Sequence, residues 1–154
     1  NFNSSWGIRV AYWVTTYNII KDNAIVGIGL GDFIDETKKE LQLEKYSFLD
    51  KKVKLFMSGY HPHNQYLLIS LQMGLIGLFI FLYIIYNIFI LKIEDREIKE
   101  LSILFATIYF IGCFPEPLLI KQFTLALFVI FTGLFSIYSV TNQSNKIAVK
   151  DNSN

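Results

Sequence analysis

Residues 66–91 are 26 consecutive positions without a formal charge, interrupted only by the polar Ser70, Gln72 and Asn87. As a helix rising about 1.5 Å per residue, such a run reaches about 39 Å, enough to cross a hydrocarbon core of about 30 Å. Burying it inside a soluble protein would take far more polypeptide than 154 residues supply. The rest of the chain offers no polar exterior either, with 53% apolar and only 18% charged residues. A water-soluble α/β or β-sandwich domain is therefore excluded, and an all-α, polytopic integral membrane protein is expected. Tyr83 and Tyr86, near the far end of the run, suit the interface, where an aromatic ring with a hydroxyl is partly wet and partly dry.

Two further apolar runs follow. Residues 92–100, KIEDREIKE, form a short charged connector, and residues 101–120 are then almost entirely apolar, broken by Pro115-Glu116-Pro117. The prolines remove two backbone donors, and Glu116 is costly in lipid unless it faces protein or water. This helix either ends near Phe114 with a surface loop behind it, or is broken inside a polar cavity. Residues 123–140 make an 18-residue run, the lower end of spanning length, in which Gly133 is tolerable. Spans are thus expected over about 66–91, 101–120 and 123–140, followed by a polar, disordered tail at 141–154.

The first 64 residues differ in kind. Residues 6–20 are mostly apolar but carry Arg9 and end in Lys21-Asp22-Asn23, which predicts an interfacial helix. Residues 35–57 hold six lysines and a similar number of acids among Leu41, Leu43, Phe48, Leu49, Val53, Leu55 and Phe56, predicting one or two amphipathic helices on a membrane face. Gly59 and Pro62 end that stretch. The organisation expected is a loop region at 1–64, a membrane region at 65–140 and the tail. The chain begins with Asn and carries no signal-peptide pattern, and it reads as a piece of a longer membrane protein. Counting basic residues alone puts the lysine-rich 32–64 stretch in the cytoplasm.

A net charge of +1, from 14 basic and 13 acidic residues, gives no field suited to nucleic acid. Cys113 is the single cysteine, so no intrachain disulfide and no cysteine-based metal framework can form. Both histidines sit in His61-Pro62-His63-Asn64, where the chain enters the first apolar run. They are either two solvated side chains or a base that works near neutral pH. As zinc ligands they lack a cysteine and a defined third donor, so no metal and no other cofactor is expected.

Gly27-Ile28-Gly29-Leu30-Gly31-Asp32 superficially suggests a phosphate-cradling loop, but no βαβ unit surrounds it and no Lys-Ser or Lys-Thr closes it. A compact turn that lets backbone approach a neighbour is the better reading. Arg9, on an apolar segment, either snorkels to water or meets an anion such as a phosphate. Lys21 and Lys121 could add positive charge. Glu116 is either a wet loop residue or a buried acid that orients a histidine or lysine.

The pattern Arg9…Trp13, Asn23-Ala-Ile-Val-Gly27-Ile-Gly29-Leu-Gly31-Asp-Phe33, His61-Pro-His63-Asn64-Gln-Tyr66-Leu67 and Gly74-Leu-Ile-Gly77-Leu resembles the C-terminal half of the O-antigen ligase and polymerase-like family of bacterial membrane glycosyltransferases. The motifs run from about residue 5 to residue 91, and the later spans fit in hydropathy only. One departure is Gln72, where members often carry an acid; an amide cannot take a negative charge.

The resemblance implies a multi-pass enzyme of the bacterial inner membrane, acting in lipopolysaccharide or polysaccharide biosynthesis of the cell envelope, with residues 1–64 periplasmic or extracellular and the tail cytoplasmic. This orientation is the reverse of the lysine count. Its partners would be membrane lipids, a polyprenyl-diphosphate-linked glycan donor and, as acceptor, a lipid A core or a growing glycan. It implies that His63 is the catalytic base and that Arg9 holds the donor diphosphate. His61, Asn64, Tyr66, Lys21 and Glu116 complete the substrate-binding candidates, and the transfer is expected to need no metal. The alternatives are a transporter of polysaccharide or lipid-linked glycan, built around a helix broken at Pro115-Glu116-Pro117, and a noncatalytic membrane assembly subunit.

Overall fold

A computed structural model describes the backbone of residues 4–151 and the side chains of residues 4–141. Among the described residues every regular element is helical: α1 (Ser5–Asp22), α2 (Phe33–Leu41), a 3-10 turn (Glu44–Tyr46), α3 (Lys51–Met57), α4 (Gln65–Ile90), α5 (Arg96–Gly112), a second 3-10 turn (Leu118–Ile120) and α6 (Gln122–Asp151). They fall into two compact units, one of residues 1–81 with 113–117 and one of residues 82–112 with 118–154.

In the first unit, α1 is the organising helix. Ser4 caps its start by accepting the Gly7 amide at 3.1 Å, and Asn23 closes its end by donating its side-chain amide to Ile19 O and its backbone N–H to Ile20 O. Ala11 and Tyr12 of α1 pack with Leu41, Tyr46, Leu49, Val53 and Met57. The apolar stripes expected of an interfacial α2 and α3 thus meet α1. Met57, wholly buried, contributes about 1.5–3 kcal/mol through its removal from water. Tyr46 accepts from Asn18 Nδ2 and donates to Glu40, so its hydroxyl is satisfied where burial would otherwise penalise it.

The helix predicted over 66–91 is present as α4, and it is broken. Gly74 has φ 65° and ψ −165°, outside the helical region. The rings of Tyr66 and Phe81 lie 5.8 Å apart, whereas a straight helix would hold these residues about 22 Å apart, so the two segments of α4 fold back toward each other at Gly74.

A break within an apolar helix leaves backbone groups that lipid cannot satisfy. The glycine loop supplies their partners. Ile28 and Gly29 donate to Leu71 O and Gln72 O at 2.9 and 3.0 Å, and Leu75 and Ile76 donate to Ala24 O and Ile25 O at 2.8 and 3.4 Å. The contact demands glycine on both sides. A β-carbon on Gly27 would stand 2.5–2.6 Å from backbone atoms of Gln72, Met73 and Gly74, and one on Gly74 would meet Ile25 O at 2.1 Å. Ile19, Ile20 and Leu71 are buried around this junction, with Ile28, Phe33 and Leu67 packed against them.

In the second unit Phe105 of α5 packs among Phe128, Phe131 and Phe135 of α6, with ring centroids 5.5–6.1 Å apart. The Tyr109 hydroxyl donates to Thr124 O at 2.6 Å. Lys99, from the charged connector, donates to both Phe89 O and Leu91 O at 2.7 Å and so satisfies carbonyls left open at the end of α4. Ile111, Val129, Ile130 and Ile137 are exposed, as lipid-facing residues are.

Two helices, not three, have the length and composition to cross a membrane: Gln65–Ile90 and the Gln122–Thr141 part of α6. The span expected over 101–120 is corrected. Its helix starts earlier, at Arg96 among charges, and stops at Gly112, so its uncharged portion is about 18 Å long. Pro115 and Pro117 account for the stop, since each lacks an N–H and disfavours helix at the residue before it. The disordered tail expected from residue 141 is corrected as well, because the α6 backbone continues to Asp151; residues 152–154 lie outside the described residues.

Candidate active site

The loop between α3 and α4 carries both histidines, and its backbone is tied to α1. Tyr12 donates its hydroxyl to Tyr60 O, and Trp13 donates its indole N–H to Pro62 O at 2.8 Å. Burial pushes the Tyr12 hydroxyl up to about 12, against the opposing effect of a hydrogen bond with Thr37. Phe56 stacks on Tyr60 at 4.5 Å, and Pro62 is fully buried. This part of the loop is held from three sides.

His63 follows with φ 47°, the only described non-glycine residue with positive φ. Such a backbone costs about 1–3 kcal/mol and persists only where neighbours fix it. Asn64 is one of them. It is buried, and its Oδ1 accepts the Leu67 amide at 3.0 Å while its carbonyl accepts from Leu68, which makes it the N-cap of α4. Gln65 donates its backbone N–H to Cys113 O at 2.8 Å, which brings the chain after α5 beside the start of α4. Phe114 meets Trp13 edge-on at 5.7 Å, and Pro117 is buried.

Between these anchors Glu116 faces His63, with Oε2 3.1 Å from Nδ1. Their side chains are 23% and 27% exposed, shielded enough to order the pair and open enough to admit a substrate. Of the two readings of Glu116, the geometry is that of an acid beside a histidine. An ionised carboxylate only accepts, so the ring presents Nδ1–H to it and leaves Nε2 as an acceptor. The His61 ring lies 4.6 Å from that of His63, and His61 Nδ1 accepts the His63 backbone N–H at 3.3 Å. One potential donor atom each from His61, His63 and Glu116 lies within 4.8 Å of the others.

The remaining predicted residues divide. Arg9 stands one helical turn before Trp13, on the face of α1 that meets the histidine loop. Its guanidinium is partly exposed and lies 5.8 Å from the Trp6 ring, and among the described residues no carboxylate forms an ion pair with it. Lys21 is eight residues beyond Trp13, about 12 Å along α1, exposed and over the Tyr17 ring. The structure does not bring it to the histidines. Tyr66 sits in the first turn of α4 against Phe81, and the Asn64 side-chain oxygen serves the helix cap.

Sequence reasoning missed two residues of this site. Trp13 was noted only as part of a motif, yet it fixes the Pro62 carbonyl. Asn64 as an N-cap had a readable signal, an Asn directly before a long apolar run. A family model described as O-antigen ligase matches residues 1–82, which include α1, the glycine loop, the histidine loop and the break in α4. No curated protein and no solved structure matches the chain.

Proposed function

The chain belongs to the O-antigen ligase family, and from that membership we propose that it serves a membrane glycosyltransferase that moves a glycan from a polyprenyl-diphosphate carrier to a sugar hydroxyl. The acceptor is a lipid A core in a ligase or another repeat unit in a polymerase. The work is done at the bacterial inner membrane, with residues 1–64 on the periplasmic or extracellular side.

The observation that carries this reading is the His63–Glu116 pair at the head of α4. Glu116 holds Nδ1, and Nε2 takes the proton of the acceptor hydroxyl as its oxygen attacks the anomeric carbon. A positioned base of this kind contributes about 10²–10⁴ in rate. The bond to the carrier breaks with its electrons on the diphosphate, and the fork of Arg9, free of a carboxylate partner, stabilises that charge. A diphosphate is already a good leaving group, so the transfer needs no metal. Carrier lipid arrives from the bilayer and acceptor from water, and a loop leading into an apolar helix is open to both.

The test is complementation by full-length His63→Ala in cells lacking their own copy. Surface glycan is expected to disappear while the protein accumulates at its normal level; normal glycan would overturn the base role. For Arg9→Ala, weaker binding of lipid-linked diphosphate is expected, and unchanged binding would remove that role. The transporter alternative called for a helix broken at Pro115-Glu116-Pro117. There α5 simply ends, and the break at Gly74 has its neighbouring backbone groups paired by the glycine loop.

A further inference from the structure

Two histidines two residues apart make a poor metal site, and the third donor comes from 53 residues further along the chain. We propose that His61, His63 and Glu116 bind one divalent transition-metal ion of the Zn²⁺ class, and that the bound ion turns off the base at His63. The inference rests on the base role proposed above for its inhibitory half, and on geometry alone for its binding half.

Zn²⁺ takes imidazole nitrogen at about 2.0–2.1 Å and carboxylate oxygen at about 2.0–2.2 Å, and two histidines with one glutamate is an established donor set for an ion that keeps an open position. Tetrahedral bonds of that length hold donor atoms about 3.3 Å apart. His63 Nδ1 and Glu116 Oε2 are already 3.1 Å apart, and the group as a whole lies within 4.8 Å. Closing the widest gap takes about 1.5 Å, within reach of small rotations of partly exposed side chains. The backbone beneath them is held by the Trp13 bond to Pro62 O, the Asn64 cap and the Gln65 bond to Cys113 O, so the donors converge on a fixed frame. None of the three is a cysteine, which favours a borderline cation that exchanges.

The two states exclude each other chemically. With Glu116 accepting from Nδ1–H, the lone pair of His63 is on Nε2, where a hydroxyl can use it. When a metal takes the Nδ1 lone pair, the ring proton resides on Nε2 and the carboxylate charge goes to the ion. The ring remains neutral, but it has no acceptor left and cannot serve as a base. His61, which the transfer does not require as a base, becomes the residue that makes the metal state possible.

The experiment uses the full-length protein in detergent, stripped with chelator and titrated with ZnCl₂ alone, with bound metal measured by equilibrium dialysis and elemental analysis. One high-affinity Zn²⁺ per chain is expected, weakened at least tenfold in His61→Ala and in Glu116→Gln. No stoichiometric binding to the wild type, or binding unchanged in both variants, would overturn the site. Co²⁺ provides a reading that needs no variant: visible d–d bands of a four-coordinate ion are expected, and their absence at saturating Co²⁺ counts against the assignment. Glycan transfer by the wild type is expected to fall at least tenfold when the ion binds and to return on chelation, and activation by Zn²⁺ would overturn the inhibitory half. Should the protein prove to have no transferase activity, the dialysis and Co²⁺ results still decide the binding half, so the two readings fail separately.

Discussion

Gly27 and Gly74 meet backbone to backbone, 47 residues apart in sequence: a β-carbon placed on Gly27 would lie 2.6 Å from the amide nitrogen of Gly74. Both residues also hold positive φ, 71° and 65°. Glycine is required there twice, by space and by conformation.

A glycine-to-alanine series follows from this. Gly74→Ala and Gly27→Ala are expected to destabilise the protein by about 3 kcal/mol or more, since neither neighbour is a side chain that can swing away. Gly31→Ala, with open space but φ 98°, should cost about 1 kcal/mol. Gly133→Ala, in open space on α6, should be neutral or stabilise by up to about 1 kcal/mol. Thermal unfolding in detergent orders the four; equal midpoints for Gly74→Ala and Gly133→Ala would contradict the packing.

Asn64→Ala removes the cap of α4 and should cost about 1 kcal/mol, whereas Asn64→Asp should retain most of it. Because the next residue back is His63, the alanine variant should also lose transfer activity beyond its loss of folded protein. Activity per folded molecule, normalised by circular dichroism, measures the second effect.

Glu116→Ala should lower kcat by about tenfold to hundredfold with KM little changed, as expected for a residue that orients a base without touching substrate. Glu116→Gln keeps an acceptor oxygen and should lose less. The His63→Ala/Glu116→Ala double variant should be no slower than His63→Ala, because the two act through one ring. Fully multiplicative losses would separate them.

Tyr12 supplies a pH dependence. An unfolded tyrosine ionises near 10, whereas burial holds Tyr12 protonated to about 12. Its contribution to stability is fully present below pH 10 and falls as pH rises from 10 to 12, by about 2–3 kcal/mol in all. Tyr12→Phe should be less stable at neutral pH, for want of the hydrogen bond to Tyr60 O, and should show a shallower decline above pH 10. Parallel denaturation curves for the two proteins would discount the buried hydroxyl.

Much of this was legible in the sequence, and the gaps have identifiable causes. Charge-free runs announced α4 and α6, and the mixed spacing of residues 35–57 announced α2 and α3, because local periodicity carries both signals. The run 101–120 misled because hydropathy weighs composition and ignores that Gly112 and two prolines end a helix. The glycine loop was readable as a close approach of backbone, but its partner was not, since hydrogen bonds between main chains 47 residues apart leave no periodic trace. Glu116 was conspicuous between its prolines. Which basic group it would face is decided by tertiary contacts at Cys113 and Phe114, not by any neighbour in sequence.

The splint across α4 also bears on how the protein is made. Residues 24–29 leave the ribosome before residues 71–76, so the strap is already present when the kinked segment reaches lipid. Reversing that order, as in a circular permutant beginning after residue 29, would deliver two donors and two acceptors to the bilayer with their partners still to be synthesised, at several kcal/mol apiece. The direction of translation is thus part of what lets so sharp a bend enter a membrane.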